Sequence, residues 1–466
     1  MNTIWPQALP ASRGPKYALV ADIIRKSIEN KSLEVGAKLP PVRDLAYRLG
    51  ITPGTVARAY SILTDEGLVQ AEVGRGTFVA PPMTPIVDDV WSRMSASAEG
   101  EGGDVSLFSP RLVDRGQVAL LSEGLTRLAQ SDPSTLLNYP TRDGARPLRE
   151  AVARWLADLP LGPFDAEDVV ITHGGQNGIG VIFQTVLTGP RPRILIEELT
   201  YAGFRRAGEL MRADVQSVEM DEWGMVPEAL DHAVRNGGAQ IVCLTPEVHN
   251  PTGGHMPLER RKALVAVARR HDLQILEDDC YRVGEARVSC FRALAPERAW
   301  YVTSISKTLT PALRVGFAIA PQDRAAELRR AAEYGFFGVA QPVAELTRLL
   351  LSDARTPGVA ARVRQGMAEY VRVAVNVLGR FDLVWDREVP FVWLRLPSGW
   401  RSAAFCRAAE RAGVQIRSAD EFALRDGLAP NAVRIAVNGQ VSLDRFQDAM
   451  ERLRGLLDNP PEQISV

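Results

Sequence analysis

The chain has 466 residues, of which 46% are hydrophobic and 24% charged, and a formal net charge of −1. At roughly 150 residues per domain this makes about three compact units, large enough to bury a core without disulfide or metal staples. The near-zero balance excludes a polyanion binder acting through the whole chain and leaves only a local basic patch for that role.

The first ten residues, MNTIWPQALP, have neither a basic start nor an apolar stretch of signal-peptide type. No apolar run approaches the ~20 residues of a membrane helix. A cytoplasmic protein with no membrane partner is expected. Cys243, Cys280, Cys290 and Cys406 form no C-x-x-C pair, and no histidine follows at ligand spacing, which predicts buried free thiols and no metal site.

The first unit is expected over residues 13–80. Tyr17–Asn30 places Val20, Ile23, Ile24, Ser27 and Ile28 on one helical face. A second helix follows Pro40-Pro41, turns Leu45, Ala46 and Leu49 inward and stops at Gly50. Thr52 suits the N-cap and Pro53 the first position of a third helix, which carries Val56, Ala59, Tyr60 and Leu63 and ends at Gly67. Leu68–Glu72 and Thr77–Val79 are two strands around the turn Gly74-Arg75-Gly76.

Three helices and a hairpin in so short a span form a mainly helical winged helix-turn-helix. Residues 13–79 carry ten Lys/Arg and seven Asp/Glu, net +3 against −4 for the remainder, the sign that double-stranded DNA requires. Arg43 at the start of the second helix, Arg58 on the third and Arg75 in the wing are candidate phosphate or groove contacts. Thr52 and Thr55 are placed to reach phosphate or base edges.

Residues 81–104 form a linker. Pro81, Pro82 and Pro85 precede Ser95-Ala96-Ser97-Ala98 and Glu99-Gly100-Glu101-Gly102-Gly103, too little apolar surface for a core. From 105 to 466, helical stretches alternate with β-rich runs such as Arg193–Ile196, Gln240–Leu244, Leu273–Leu276 and Trp300–Thr303. This is α/β patterning around a mainly parallel sheet. The large subdomain is expected over about 136–335 and a smaller C-terminal α+β subdomain over about 336–466.

Four segments of this region carry chemistry. Ser304-Ile305-Ser306-Lys307 follows a strand, so a lysine flanked by hydroxyls and followed by Arg314 suits a Schiff-base site beside a phosphate. His249-Asn250-Pro251-Thr252-Gly253 is a tight turn after a strand, where Asn250 can hydrogen-bond a phenolic oxygen. Glu277-Asp278-Asp279-Cys280-Tyr281 puts a carboxylate where it can pair with a protonated pyridine nitrogen. Thr172-His173-Gly174-Gly175-Gln176 opens a helix with glycines, as phosphate binding through backbone N–H groups requires.

The N-terminal unit resembles the GntR family through Leu39-Pro40-Pro41-Val42-Arg43-Asp44-Leu45-Ala46, Leu49-Gly50-Ile51-Thr52-Pro53, Glu66-Gly67-Leu68 and Gly74-Arg75-Gly76-Thr77-Phe78-Val79. The four later segments, in this order, resemble fold-type I pyridoxal 5′-phosphate (PLP) enzymes of the aspartate aminotransferase class over roughly 105–457. The fused arrangement resembles the MocR subfamily. That resemblance implies PLP on Lys307, with Asp278 (or Asp279) at the ring nitrogen and Tyr281 and Asn250 at the phenolic oxygen. It implies Tyr201 stacked on the ring, and Gly175, Gln176, Ser304, Ser306 and Arg314 on the phosphate. It also implies that Tyr139 reaches a phosphate in the neighbouring subunit of a homodimer and that Arg434 holds the α-carboxylate of a small amino compound, as a planar guanidinium can do bidentately.

Three departures stand out. Gly175 occupies a position where many relatives have a hydroxyl residue. Val389-Pro390 replaces a glycine pair. Pro53-Gly54 follows the Thr52 cap where relatives often have an arginine. Three readings share these residues: a PLP-dependent transcriptional regulator that binds an operator and senses an amino compound or PLP, a working aminotransferase carrying a DNA-binding domain, and a cofactor-free dimerisation scaffold.

Overall fold

The computed structural model describes residues 15–30, 32–34, 36–65, 68–72, 76–79, 103–132, 139–235, 237–424, 427 and 429–460. The chain divides into two compact units, Met1–Ser95 and Ala96–Val466.

In the first unit, α1 (Lys16–Glu29), α2 (Val42–Leu49) and α3 (Pro53–Asp65) precede β1 (Val69–Glu72) and β2 (Gly76–Val79). The apolar faces read from the 3.6-residue period meet in one core that includes Val20, Ile24, Leu45, Leu49, Val56 and Leu63. Gly50 ends α2 in the left-handed region, at φ 63°, where its N–H caps the Ala46 and Tyr47 carbonyls. β1 and β2 pair antiparallel, with Val69 opposite Val79. The Leu39 N–H donates to the Thr77 carbonyl at 2.8 Å and Tyr60 Oη donates to the Pro40 carbonyl at 2.8 Å, tying the strand pair and α3 to the turn before α2. The wing tip with Arg75, Gly67 and all of the expected linker but residues 103 and 104 lie outside the described residues.

The second unit begins at β3 (Val105–Ser106) and is built on two sheets. The large sheet joins β4 (Val169–Thr172), β5 (Arg193–Glu197), β6 (Asp214–Val218), β9 (Ile241–Leu244), β10 (Gln274–Asp278), β11 (Ala299–Ser304) and β12 (Gly316–Ile319) in the order β4-β12-β11-β10-β9-β5-β6. β11, β10, β9, β5 and β6 run parallel, whereas β12 is antiparallel to both β11 and β4, so the sheet is mixed at that edge. All four residues of β9 are buried because helices cover both faces. Helices Gly175–Val186, Ala202–Leu210 and Ala325–Phe336 pack on one face, and Pro227–Arg235 and Leu258–Arg270 on the other. A short hairpin, β7 (Met220–Asp221) with β8 (Gly224–Met225), lies between β6 and β9 in the chain.

The small sheet joins β13 (Leu383–Val384), β14 (Phe391–Arg395), β17 (Ala432–Ala436) and β16 (Arg417–Ser418), in that order. The small subdomain draws on more than residues 336–466. β3 pairs parallel with β15 (Val414–Gln415), and Val105 and Leu107 are fully buried there. The chain then continues against β17: the Ala436 N–H donates to the Leu107 carbonyl at 2.9 Å, and the Arg111 N–H to the Val437 carbonyl at 2.9 Å. The first described residues after the linker are thereby stitched into this sheet. Among the described residues no helix is long and apolar enough to cross a membrane.

Candidate functional site

Parallel α/β sheets present their loops at the carboxyl ends of the strands, and ligands bind there. β10 ends at Asp278, β11 ends at Ser304, and the 3₁₀ turn Ile305–Lys307 follows at once. Asp278 ends β10 and Lys307 closes the turn after β11, and the parallel pairing of these two strands brings them to one end of the sheet.

Lys307 is half-buried. Its Nζ donates to the Pro110 carbonyl at 3.2 Å and lies 5.6 Å from the centre of the Tyr281 ring. Burial, then the positive charges of Arg434 and Arg314, hold the amine below the usual lysine range despite the Tyr281 oxygen, which acts the other way. A less basic amine is a better nucleophile toward a carbonyl at neutral pH. Burial would raise the Tyr281 phenol, but Lys307, Arg434 and Arg417 overcome it and hold the phenol below its usual value.

The two aspartates separate cleanly. Asp279 Oδ2 accepts from Tyr301 Oη at 2.5 Å and from Arg282 Nε at 2.6 Å, while its Oδ1 is buried without a hydrogen-bond partner among the described residues. Asp278 Oδ1 accepts from the Cys280 backbone N–H at 2.9 Å and has no cationic partner among the described residues. Burial pushes its carboxyl up to about 6. Of the two, Asp278 is the carboxyl without a cationic partner among the described residues, which makes it the candidate to meet a protonated ring nitrogen.

Asn250 lies at the start of the turn after β9. Its Oδ1 accepts from Arg434 Nη1 at 2.6 Å, and its buried Nδ2 has no hydrogen-bond partner among the described residues. An orphaned buried donor is rare in native structures and marks a place for an acceptor. A phenolic oxygen fits that requirement. Arg434, only 1% exposed, also donates from Nη2 to the Phe108 carbonyl at 2.9 Å.

On the phosphate side, Gly174 stands before the helix Gly175–Val186 with φ 79°, and no acidic residue follows in the first turn. A Cβ on Gly174 would come within 2.8 Å of Arg314 Nη2, so the guanidinium stands against that helix start. Arg314 itself adopts φ 51°, an unusual conformation for a residue with a side chain. Ser304 Oγ caps the 3₁₀ turn by accepting from the Ser306 N–H at 3.4 Å, and Ser306 is buried. Gln176 Nε2 donates to the Gly203 carbonyl at 3.0 Å, linking this turn to the helix that Tyr201 caps. Tyr201 is half-buried, and burial followed by the charges of Tyr281 and Asp278 raises its phenol. Gly175 has a local cause as well: a Cβ there would collide with Cys280 Sγ. Taken together, these donors fit a phosphorylated pyridine aldehyde: a helix N-terminus with an arginine, an amine, a carboxyl beyond the ring and an unsatisfied amide. Tyr139 is 87% exposed and is not joined to this cluster within one chain.

Four residues without a recognisable motif belong to the site. Phe108 and Pro110 supply carbonyls to Arg434 and Lys307. Cys280 fills the space above Gly175. Arg417 lies directly across β16–β17 from Arg434. Their only signals in the sequence are a cysteine within an acidic run and a second arginine in the strand pair that carries Arg434. All four cysteines are free, but Cys280 and Cys406 are half-buried rather than buried.

In the first unit, Arg43, Thr52 and Arg58 are exposed and Thr55 half-exposed. The Thr52 and Thr55 hydroxyls lie 2.9 Å apart and bond each other. The Arg58 guanidinium stacks 4.1 Å from the centre of the Tyr17 ring. Tyr47, one turn after Arg43 on α2, is 90% exposed, an aromatic the sequence reading left out.

Comparison with known proteins finds two family models. Residues 16–79 match the gntR family of bacterial regulatory proteins, and residues 113–453 match aminotransferase class I and II. The HTH-type transcriptional regulator YdeF of Bacillus subtilis is 25% identical over 460 residues, covering 98% of this chain and 97% of its own. The HTH-type pyridoxine biosynthesis transcriptional regulator PdxR of Corynebacterium glutamicum is 29% identical over 353 residues, 75% of each chain. The crystal structure of LysN, the alpha-aminoadipate aminotransferase of Thermus thermophilus complexed with N-(5′-phosphopyridoxyl)-L-leucine, superposes with a TM-score of 0.68 at 26% identity. It covers 79% of this chain and 96% of its own.

Proposed function

The chain belongs to the aminotransferase class I and II family and carries a gntR-family domain ahead of it, the MocR arrangement, and from that premise we propose that it is a PLP-dependent transcriptional regulator whose DNA affinity responds to a small amino compound. It acts in the cytoplasm as a homodimer on an operator. Lys307 attaches the cofactor, Asp278 faces its ring nitrogen, Asn250 and Tyr281 its phenolic oxygen, and Tyr201 its ring. Ser304, Ser306, Arg314 and the backbone of Gly175 and Gln176 hold its phosphate, with Tyr139 reaching the partner's site. When bound, the cofactor supplies an electrophilic carbon and an electron sink for amines.

One observation carries the regulatory reading. The two cationic residues that an amino compound must engage, Lys307 and Arg434, are both hydrogen-bonded to carbonyls of 108–110. That segment follows β3, the first strand after the linker. A carboxylate claiming Arg434 competes with the Phe108 carbonyl, so occupancy changes the attachment of the segment that leads to the DNA-binding unit. Such a ligand shifts the population of conformational states by its differential affinity for them.

The working-enzyme reading shares the same residues, and spectroscopy separates the two. Complete conversion of the bound cofactor to its amine form by an amino acid, reversed by a 2-oxo acid, favours turnover. Binding that stalls short of it favours the sensor, and a colourless purified protein sinks both.

A further inference from the structure

The most unusual group in the second unit is the Arg417 guanidinium. Arg417 is 7% exposed and makes no hydrogen bond among the described residues; its Nε is fully buried without a partner. Its nearest anion is Glu421, whose Oε2 stands 3.8 Å from Nε, beyond hydrogen-bond reach. Otherwise it lies on aromatic faces, 3.8 Å from the Phe108 ring centre and 5.7 Å from that of Phe422.

Burying a guanidinium this way is costly. Its Nε loses water and gains no acceptor, and like charges directly opposite on a sheet repel. Arg417 faces Arg434 in the antiparallel register of β16 and β17, which puts both side chains on one face. Both guanidinium groups flank the Phe422 ring, Arg434 at 4.9 Å. Arg434 Nε is also buried without a partner. Two adjacent buried cations with spare donors beside Tyr281 and Lys307 form a receptor for negative charge.

We propose that Arg417 receives a second anionic group on the effector, beside the carboxylate held by Arg434, so that the pocket selects amino compounds with two acidic groups. This rests on the sensor reading given above and specifies its ligand class. The second oxyanion displaces the distant Glu421 as the counter-charge and satisfies the donors of Arg417, while Phe108 holds the guanidinium plane in place by stacking. An effector with a neutral amide in place of that oxyanion leaves the cation with only the Glu421 contact at 3.8 Å.

The test uses the full-length, PLP-loaded chain and the pairs L-glutamate with L-glutamine and L-aspartate with L-asparagine, which differ chiefly in charge. Affinity is read from the change in cofactor absorbance. The acid of at least one pair binds more tightly than its amide by about ten- to hundredfold, the range of charged hydrogen bonds. Arg417→Met removes most of the preference for the acid over its amide, and Arg417→Lys retains part of it. Cofactor absorbance and thermal melting of each variant establish that it is folded and loaded. Equal binding of acid and amide by the parent chain overturns the proposal, as does a Met variant that weakens both alike, the mark of a merely structural arginine. Failure of every amine in a broad panel to perturb the cofactor overturns the sensor reading itself, a separate outcome.

Discussion

Arg434 Nη1 donates to Asn250 Oδ1 at 2.6 Å, and this bond decides which way the Asn250 amide faces. With Oδ1 committed to the guanidinium, Nδ2 is the buried donor left without a partner. The residue proposed to hold an effector's carboxylate therefore also orients the residue proposed to meet the cofactor. Asn250→Ala removes both the donor and the anchor of Arg434. The expected result is weaker cofactor binding and weaker amine binding, each by about 1–3 kcal/mol, measured by titration of the apo chain with PLP and of the loaded chain with amines.

Lys307→Ala is expected to lose the visible absorption of the lysine-bound cofactor while keeping its melting transition and its oligomeric state. Retention of that absorption by the variant moves the attachment point to another residue.

Asp278 gives a pH dependence of defined sign. Its carboxyl in the folded apo chain is raised by burial to about 6 from an ordinary value of 3.8, with the nearby Asp279 adding to the rise and hydrogen bonds from Cys280 opposing it. The stabilising contribution is thus complete below about pH 4 and is lost as pH rises through about 6. At neutral pH the loss is at most about 3 kcal/mol. Asp278→Asn should melt higher than the parent apo chain at pH 7 and level with it near pH 4. A cofactor ring-nitrogen proton beside the carboxylate removes the parent's loss, so PLP binding should close the gap at neutral pH.

Gly175 and Cys280 should behave as a pair. Gly175→Ser forces a Cβ onto Cys280 Sγ and is expected to weaken PLP binding, despite restoring the hydroxyl common among relatives. Adding Cys280→Ala opens that space. The two changes together should bind PLP more tightly than Gly175→Ser alone, a non-additivity measurable in a double-mutant cycle.

On the first unit, Arg43→Ala should weaken operator binding and lower the slope of log affinity against log salt by about one, as removal of one phosphate contact does. Arg58 is stacked on Tyr17, so Arg58→Ala should also lower the melting temperature of that unit.

The sequence was most legible where chemistry or backbone geometry demands one residue type. Gly50, Gly174 and the helical faces around Leu45 and Val56 follow from local rules, and the structure places them as those rules require. Lys307, Asp278 and Asn250 were singled out because each lies at or just after the end of a strand, and the fold brings those strand ends together. For the ring nitrogen the three-residue spacing to Tyr281 favoured Asp278 and left Asp279 as the near alternative. The Tyr301 contact that sets Asp279 apart was hidden, because it arises only when β10 and β11 lie side by side. Arg417 was invisible for a similar reason, since its meaning depends on a cross-strand partner 17 positions further along the chain. The path from 105–111 into the small subdomain was hidden too, because parallel pairing of β3 with β15 joins segments about 300 residues apart.

The central claim is that occupancy of the amine pocket changes DNA affinity. It is tested most directly by titrating operator DNA, identified by genome-wide mapping of bound sites, with the PLP-loaded chain at fixed salt, with and without saturating amine. The account predicts a change in Kd of fivefold or more for an amine that perturbs the cofactor, and loss of that change in Arg434→Ala. An unchanged Kd across every amine that demonstrably occupies the pocket would contradict it.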